Sequence, residues 1–259
     1  MTPETENILG SFVPIGLEEM DNVRLMDRID TKYLFSANKV PDLLRLMTED
    51  YRILEINGHR IFDYETIYLD TPDYLFYNQH MTGRIDRNKV RYRKYNSTGI
   101  TYLEVKKKTK KNRTIKWRIK NILSDRICDE EAREFLEKHL PFTADILKPV
   151  ISNKFRRITL VGANIRERIT LDIDLSFSDT SGHKAVIPNV AIAELKSGDA
   201  AIKSPFSAIA KSLSIYPSGF SKYCTGTAIL YDLPRKNSIK PTLLLINKIE
   251  NESTRSLSA

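Results

Sequence analysis

The sequence is poor in the residues that carry most metal and redox chemistry. It has two cysteines and four histidines in 259 residues. Cys128 and Cys224 are far apart and match no zinc or dithiol spacing. They read as small apolar side chains in a reducing compartment, with the cytoplasm as the default location. His59, His139 and His183 show no ligand spacing, and His80 reads as a structural hydrogen-bonding residue. No stretch approaches the ~18 consecutive apolar residues of a membrane helix, so no membrane span is expected. The first twenty residues are acidic and lack the basic-then-apolar pattern of a signal peptide. There is no internal repeat, no low-complexity linker, and no RNP, KH or zinc-finger motif. No Ser/His/Asp arrangement is visible, so Ser221 is not read as a nucleophile.

What the chain does have is positive charge. Lysine and arginine number 41 against 33 acidic residues, a net charge of +8. That balance implies an anionic partner and leaves nucleic acid, acidic lipid, nucleotide and polyphosphate open.

Apolar periodicity and turn residues predict strands over 28–36, 63–72, 149–161, 166–177 and 190–198, and three more between 89 and 120. The turns of that triple fall at 96–99 and 110–112. Helices are expected over 38–49 and 128–140 and after Pro205, with Ser204 as N-cap, and a short one near 17–26. Residues 1–17 read as a lead-in. Residues 236–259 read as a C-terminal segment of ambiguous structure, with the last nine loose. Many strands and few short helices predict one α+β domain over 18–235, built on an antiparallel sheet or barrel.

Side chains alternate across a strand, and this places the charge. Arg28, Asp30 and Lys32 share a face. So do Lys89, Arg91 and Arg93, opposite Val90 and Tyr92. Glu104, Lys106 and Lys108 line up, as do Lys116, Arg118 and Lys120. Arg168, Thr170, Asp172 and Asp174 form another row, and Glu194 and Lys196 a shorter one. A polar face in water explains any one of these strands. Six predominantly basic faces in one sheet repel each other and call for a counterion. A phosphate-rich ligand supplies it, and the sparse carboxylates could then hold a divalent metal. If the sheet closes, an eight-stranded barrel is wide enough to hold a ligand against the charged face. Helices would cover the apolar outside, with the tyrosines and Trp117 packed in the core or on that outer face. Lys107, Lys110 and Lys111 read as solvated.

The segments RIDTKYLFS, YLDTPDYLFYNQHMTGRIDRNKVRYRKY, YLEVKKKTKKNRTIKWRI, RITLDIDLSF, AIAELKSG and GFSKYCTG, in this order, resemble the polyphosphate polymerase domain of the VTC (vacuolar transporter chaperone) family. That family belongs to the triphosphate tunnel metalloenzymes, related to CYTH proteins. The resemblance runs from about 18 to 230 and implies an eight-stranded antiparallel tunnel with a basic lumen and helices outside. It implies transfer of the ATP γ-phosphate to a polyphosphate chain or free phosphate, with Mn2+ or Mg2+. Arg91, Arg93, Arg157, Arg168 and Lys222 would act on the transferring group. Lys32, Lys89, Lys106, Lys108, Lys116, Arg118, Lys196 and Ser221 would bind substrate phosphates. Glu194 would hold the metal, with Asp172 and Glu104 as further candidates. Glu104 reads equally as a salt-bridge partner spacing the lysines.

There are departures. Phe155 stands where the family usually has Tyr, and Gly219 where it often has Lys. Asp30-Thr31-Lys32 replaces the E-x-E-x-K start of CYTH hydrolases, which favours the polymerase branch. The sequence shows neither the SPX domain nor the membrane helices of the eukaryotic proteins and is similar to the stand-alone bacterial members. Hydrolysis of tripolyphosphate or nucleoside triphosphate is the alternative activity. A non-catalytic polyphosphate- or nucleic-acid-binding module is the alternative class, with nucleic acid disfavoured by carboxylates on the charged faces.

Overall fold

The computed structural model describes residues 3–22, 29–110, 113–122, 129–198 and 204–256. Arg28, Lys111, Cys128, part of the 110–112 turn and the end of the helix expected near 17–26 lie outside them. The strands are β1 (Pro14–Ile15), β2 (Ile29–Ser36), β3 (Tyr51–Leu54), β4 (Phe62–Asp70), β5 (Arg87–Tyr95), β6 (Ile100–Lys108), β7 (Thr114–Lys120), β8 (Lys148–Gly162), β9 (Glu167–Asp179), β10 (Lys184–Ile187) and β11 (Val190–Ser197). The helices are α1 (Pro3–Ser11), α2 (Leu17–Asn22), α3 (Val40–Met47), α4 (Leu75–Met81), α5 (Glu130–His139), α6 (Pro205–Ser212), α7 (Lys222–Leu230) and α8 (Lys240–Ser256).

Local chemistry explains most boundaries. Gly99 takes φ 67° in the β5–β6 hairpin, a conformation glycine adopts without strain. Asp129 caps α5 by accepting from the Ala132 amide, and Ser204 caps α6 through the Ser207 amide, with Pro205 at its first turn. Two expectations change at the ends of the chain. The lead-in contains α1, and Ile8, Leu9 and Phe12 are buried in the core. The C-terminal stretch forms α8 through Ser256, tied down where Glu250 accepts from the backbone and side chain of Asn189.

Eight strands run in the order β2, β11, β9, β8, β4, β5, β6, β7, with β1, β3 and β10 attached at the margins. All neighbours along that path are antiparallel. This is the expected α+β fold, an eight-stranded antiparallel wall with helices outside. Among the described residues β2 and β7 do not pair with each other. The wall curls instead. Lys32 of β2 acts on the ammonium of Lys89 on β5, and Glu194 of β11 on that of Lys106 on β6. Strands far apart in the order therefore face each other across the interior.

Apolar packing beneath helices covers the outside of the wall. Val40, Leu43, Leu44 and Met47 of α3 and Phe206 and Ala210 of α6 pack with Tyr33, Phe35, Ala191, Ala193 and Leu195. Ala132 and Leu136 of α5 pack with Val90, Tyr92, Leu103 and Val105. The apolar rows of the strands thus face outward beneath helices, and the charged rows face inward.

Helix α7 is placed differently. Tyr223 through Ala228 are all buried, so the helix shows no solvent face before Ile229 near its end. A methyl on Gly226 would lie 2.4 Å from Phe177 and 2.8 Å from Ile151. Ile151 alternates with Asn153, Phe155 and Arg157, so α7 lies on the inner face of β8 and β9. The segment before it seals the free edge of β2. The Ser218 amide donates to the Lys32 carbonyl at 2.7 Å, and the Leu34 amide to Ser218 Oγ at 2.8 Å.

Candidate functional site

Strand register puts the inward charges side by side. Lys89 faces Lys106, and Lys106 faces Lys116; Arg91 faces Glu104, and Glu104 faces Arg118. On the other half, Lys32 faces Glu194, Lys196 faces Arg168, and Arg157 faces Asp172. Helix α7 brings Ser221 and Lys222 between the halves. Lys222 Nζ donates to Asp172 Oδ2, and Lys89 Nζ to Ser221 Oγ at 3.0 Å. Lys32 Nζ donates to the Phe220 carbonyl at 2.8 Å. Arg91, Arg93, Arg157, Lys32, Lys89, Lys106, Lys222 and Ser221 therefore converge. Lys116 joins them through Glu104, and Lys196 through Glu194. Arg168 and Lys108 lie further along their strands, Lys108 opposite Arg87. Arg118 is exposed, with its guanidinium 4.5 Å over Tyr102.

Each carboxylate is already engaged. Asp172 accepts from Arg157 Nε at 2.6 Å and Nη2 at 2.8 Å, besides Lys222. Burial alone would raise its carboxyl; Arg157 and Lys222 overcome that and hold it well below the carboxylate range. Glu104 accepts from Arg91 Nε at 2.7 Å and pairs with Lys116. Burial opposes its charge, but Arg91, Arg93 and Lys116 bring it down to about 2. Glu194 pairs with Lys196 at 2.7 Å.

The cations outnumber these partners, and burial strains the surplus. Lys106 is pushed down to about 7, first by burial and then by Lys32, Arg91 and Lys89, against the pull of Glu194. Burial likewise leads the fall of Lys89, Lys116 and Lys222 to about 8 each. Arg93 is 9% exposed, and its side-chain Nε is buried with no hydrogen-bond partner among the described residues. The Tyr64 ring lies 5.9 Å from the guanidinium carbon. Burial and the charges of Arg91 and Arg157 lower its pKa. A buried guanidinium donor without an acceptor is costly unless an anion meets it.

Three expectations are corrected here. Asp174 leaves the inner row, because β9 bulges there with φ 54° at that residue and a register shift against β8. It pairs with Arg156 instead. Tyr64, Tyr95 and Tyr102 are not outer packing. They sit on the inner face beside Arg93, and Arg157 lies 5.0 Å over Tyr64. Phe155, which lacks the family's hydroxyl, forms an apolar floor instead, 4.3 Å from Lys222 Nζ. Finally, Glu104, Asp172 and Glu194 do not gather: among the described residues no three His, Cys, Asp or Glu could jointly hold a metal. The Glu104 and Asp172 side chains are 1% and 4% exposed and spend their oxygens on cations, whereas Glu194 is 21% exposed with a single pairing. This donor set fits a divalent ion only where Glu194 shares it with substrate phosphates, the usual mode for Mg2+.

Sequence reasoning missed Asp70. Its Oδ1 accepts from the amides of Thr71 and Phe76 at 2.8 and 2.9 Å, and its Oδ2 from the amide of Tyr77 at 3.0 Å and the hydroxyl of Tyr223 at 2.5 Å. The signal was an acid closing a strand just before a Thr-Pro turn and a short helix.

Comparison with known proteins agrees with this architecture. The VTC domain family model matches residues 27–231. The chain belongs to the VTC domain family. Among solved structures, a candidate adenylate cyclase from Bacillus halodurans superposes with a TM-score of 0.52 at 16% identity, covering 80% of this chain and 98% of that one. A candidate adenylyl cyclase from Hippeastrum, described as having a dominant triphosphatase activity, gives 0.51 at 11% identity, covering 81% and 99%. At such identities the likeness speaks for the VTC chain's fold alone. No curated protein matches it by sequence. No helix among its described residues is long and apolar enough to cross a membrane.

Proposed function

We propose that this VTC-domain protein binds the triphosphate of ATP in the basic interior and transfers its γ-phosphoryl group to the end of a polyphosphate chain or to free phosphate. The observation that carries the reading is Arg93, whose buried guanidinium Nε has no acceptor and which is set between the charges of Arg91 and Arg157. A linear oligoanion supplies the missing acceptor.

Phosphoryl transfer asks the protein for position and charge neutralisation more than for covalent chemistry. Asp172 and Glu104 serve that end by orienting Arg157 and Arg91, leaving part of each guanidinium for substrate oxygens. Lys106, Lys89 and Lys222 add ammonium groups whose suppressed charge an arriving polyanion restores, and Lys32 adds a further ammonium beside them. Ser221 Oγ accepts from Lys89 and from the Cys224 amide, so its own proton is left to donate to a phosphate oxygen. A divalent ion held by Glu194 and the substrate would supply further charge neutralisation across the phosphates. The acceptor phosphate is already an anion, and the site needs no strong general base.

Hydrolysis is the second reading, suggested by the triphosphatase activity described for the Hippeastrum structure. One assay separates the two. The protein is incubated with ATP and Mn2+ or Mg2+, and chain growth on a gel is compared with phosphate release. Chain growth that disappears in Arg93→Ala and Glu194→Gln is expected. Phosphate release without chains would establish the hydrolase. Arg93→Ala should also weaken inorganic triphosphate binding by about 10- to 100-fold, the loss of charged hydrogen bonds. An unchanged affinity would remove the basis of the reading.

A further inference from the structure

The two side chains that α7 delivers to the interior, Ser221 and Lys222, sit at its very first turn. A short helix holds such groups in place only if its own rotation is fixed. Capping by Ser221 itself does not fix it, because that bond is internal to the turn. Tyr223 makes an external attachment that involves none of the interior charges. Its hydroxyl donates to Asp70 Oδ2 at 2.5 Å, and its ring lies 5.1 Å from Tyr68 and 6.4 Å from Tyr77.

Asp70 is suited to be the fixed end. It is fully buried at the end of β4 and receives three backbone amides, from Thr71, Phe76 and Tyr77, so its carboxylate cannot swing. Among the described residues no lysine or arginine forms an ion pair with it. A buried carboxylate held only by neutral donors is costly unless all its lone pairs are occupied. Tyr223 occupies the last of them. The wall strand, the turn into α4 and the start of α7 thus meet on one group.

We propose that Asp70 and Tyr223 form a latch that sets the rotation of α7 and so positions Ser221 and Lys222 for the anion. These are positioning residues: neither reaches the interior charges, and they act through the two residues before Tyr223. The inference rests on the anion-binding reading for its purpose, but not for its geometry.

Tyr223→Phe is the test, since it removes one oxygen and keeps the ring packing. Asp70→Ala would strip three amides of their acceptor and risks misfolding. Two readouts are used. The first is acylation of individual lysines, followed by mass spectrometry on the folded protein. Lys222 should react several-fold faster in Tyr223→Phe, while Lys154, which is 64% exposed, keeps its rate. An unchanged Lys222 rate would overturn the latch, whatever the ligand. The second is inorganic triphosphate affinity in a double-mutant cycle. Tyr223→Phe should weaken binding about tenfold, the worth of one charge-assisted hydrogen bond. The same change should cost less than about twofold in a Lys222→Ala background, because coupled residues are non-additive. A full loss in both backgrounds would mean a general structural role and defeat the proposal. If the unmodified protein fails to bind triphosphate at all, the functional reading falls, and the labelling result still decides the latch.

Discussion

Arg157 and Asp172 stand opposite each other on β8 and β9 and meet through two parallel hydrogen bonds of 2.6 and 2.8 Å. The fork geometry fixes the guanidinium plane, and Lys222 adds a second cation to the same carboxylate. The pair ties the wall to the first turn of α7.

Asp172→Asn should therefore destabilise the fold by about 3–5 kcal/mol at neutral pH, the cost of leaving buried cations without their anion. The carboxyl is held well below its ordinary 3.8 by Arg157 and Lys222 despite burial. Its contribution is thus complete above that value and fades as pH falls toward the folded one. Urea denaturation at neutral pH and again in acid should show the gap between wild type and variant narrowing. A gap that does not depend on pH would show that the charge is not what matters.

Lys106 gives a dependence of the same sign in a higher pH window. With its ammonium pushed down to about 7, the empty protein gains stability as pH rises through neutrality, since the unfolded chain holds that proton more firmly. Binding of an anion recovers the proton. Triphosphate affinity should fall by about tenfold more between pH ~6.5 and ~8.5 in wild type than in Lys106→Arg, whose guanidinium stays charged. Titration calorimetry in two buffers of different ionisation heat measures the proton taken up. Parallel profiles for the two proteins would contradict the assignment.

Gly226 permits α7 to lie where it does. In Gly226→Ala the new methyl meets Phe177 and Ile151, both buried. Overpacking of this kind costs about 1–3 kcal/mol. A lower thermal midpoint is expected, with weaker triphosphate binding if α7 shifts to relieve the clash. A variant as stable as wild type would show that the contact is loose.

The wall was legible because period-two alternation assigns faces without knowing the fold. Val90 and Tyr92 against Arg91 and Arg93 already show which side is which. What alternation cannot supply is register. Glu104 and Asp172 look like free carboxylates along their own strands, and only the neighbouring strands reveal Arg91 and Arg157 opposite them. The bulge at Asp174 is hidden for the same reason. Helix α7 was illegible on its own terms. Tyr223 through Ala228 are buried on every side of the helix, so SKYCTGTAIL shows no amphipathic period, and Gly226 and two threonines argue against a helix. Helix α1 was missed because Pro3–Ser11 is short and mostly polar, with its apolar contacts made by Ile8 and Leu9 alone.

The strip that seals β2 is made of residues 217–221, which follow every strand of the wall in the chain. During synthesis the eight strands can all be paired while the edge of β2 is still open and the interior still lacks Ser221 and Lys222. Until that strip arrives, Leu34 and its neighbours offer free backbone groups to any other extended chain. A nascent or truncated chain ending before Pro217 should thus be the form most prone to self-association, although its core strands are complete.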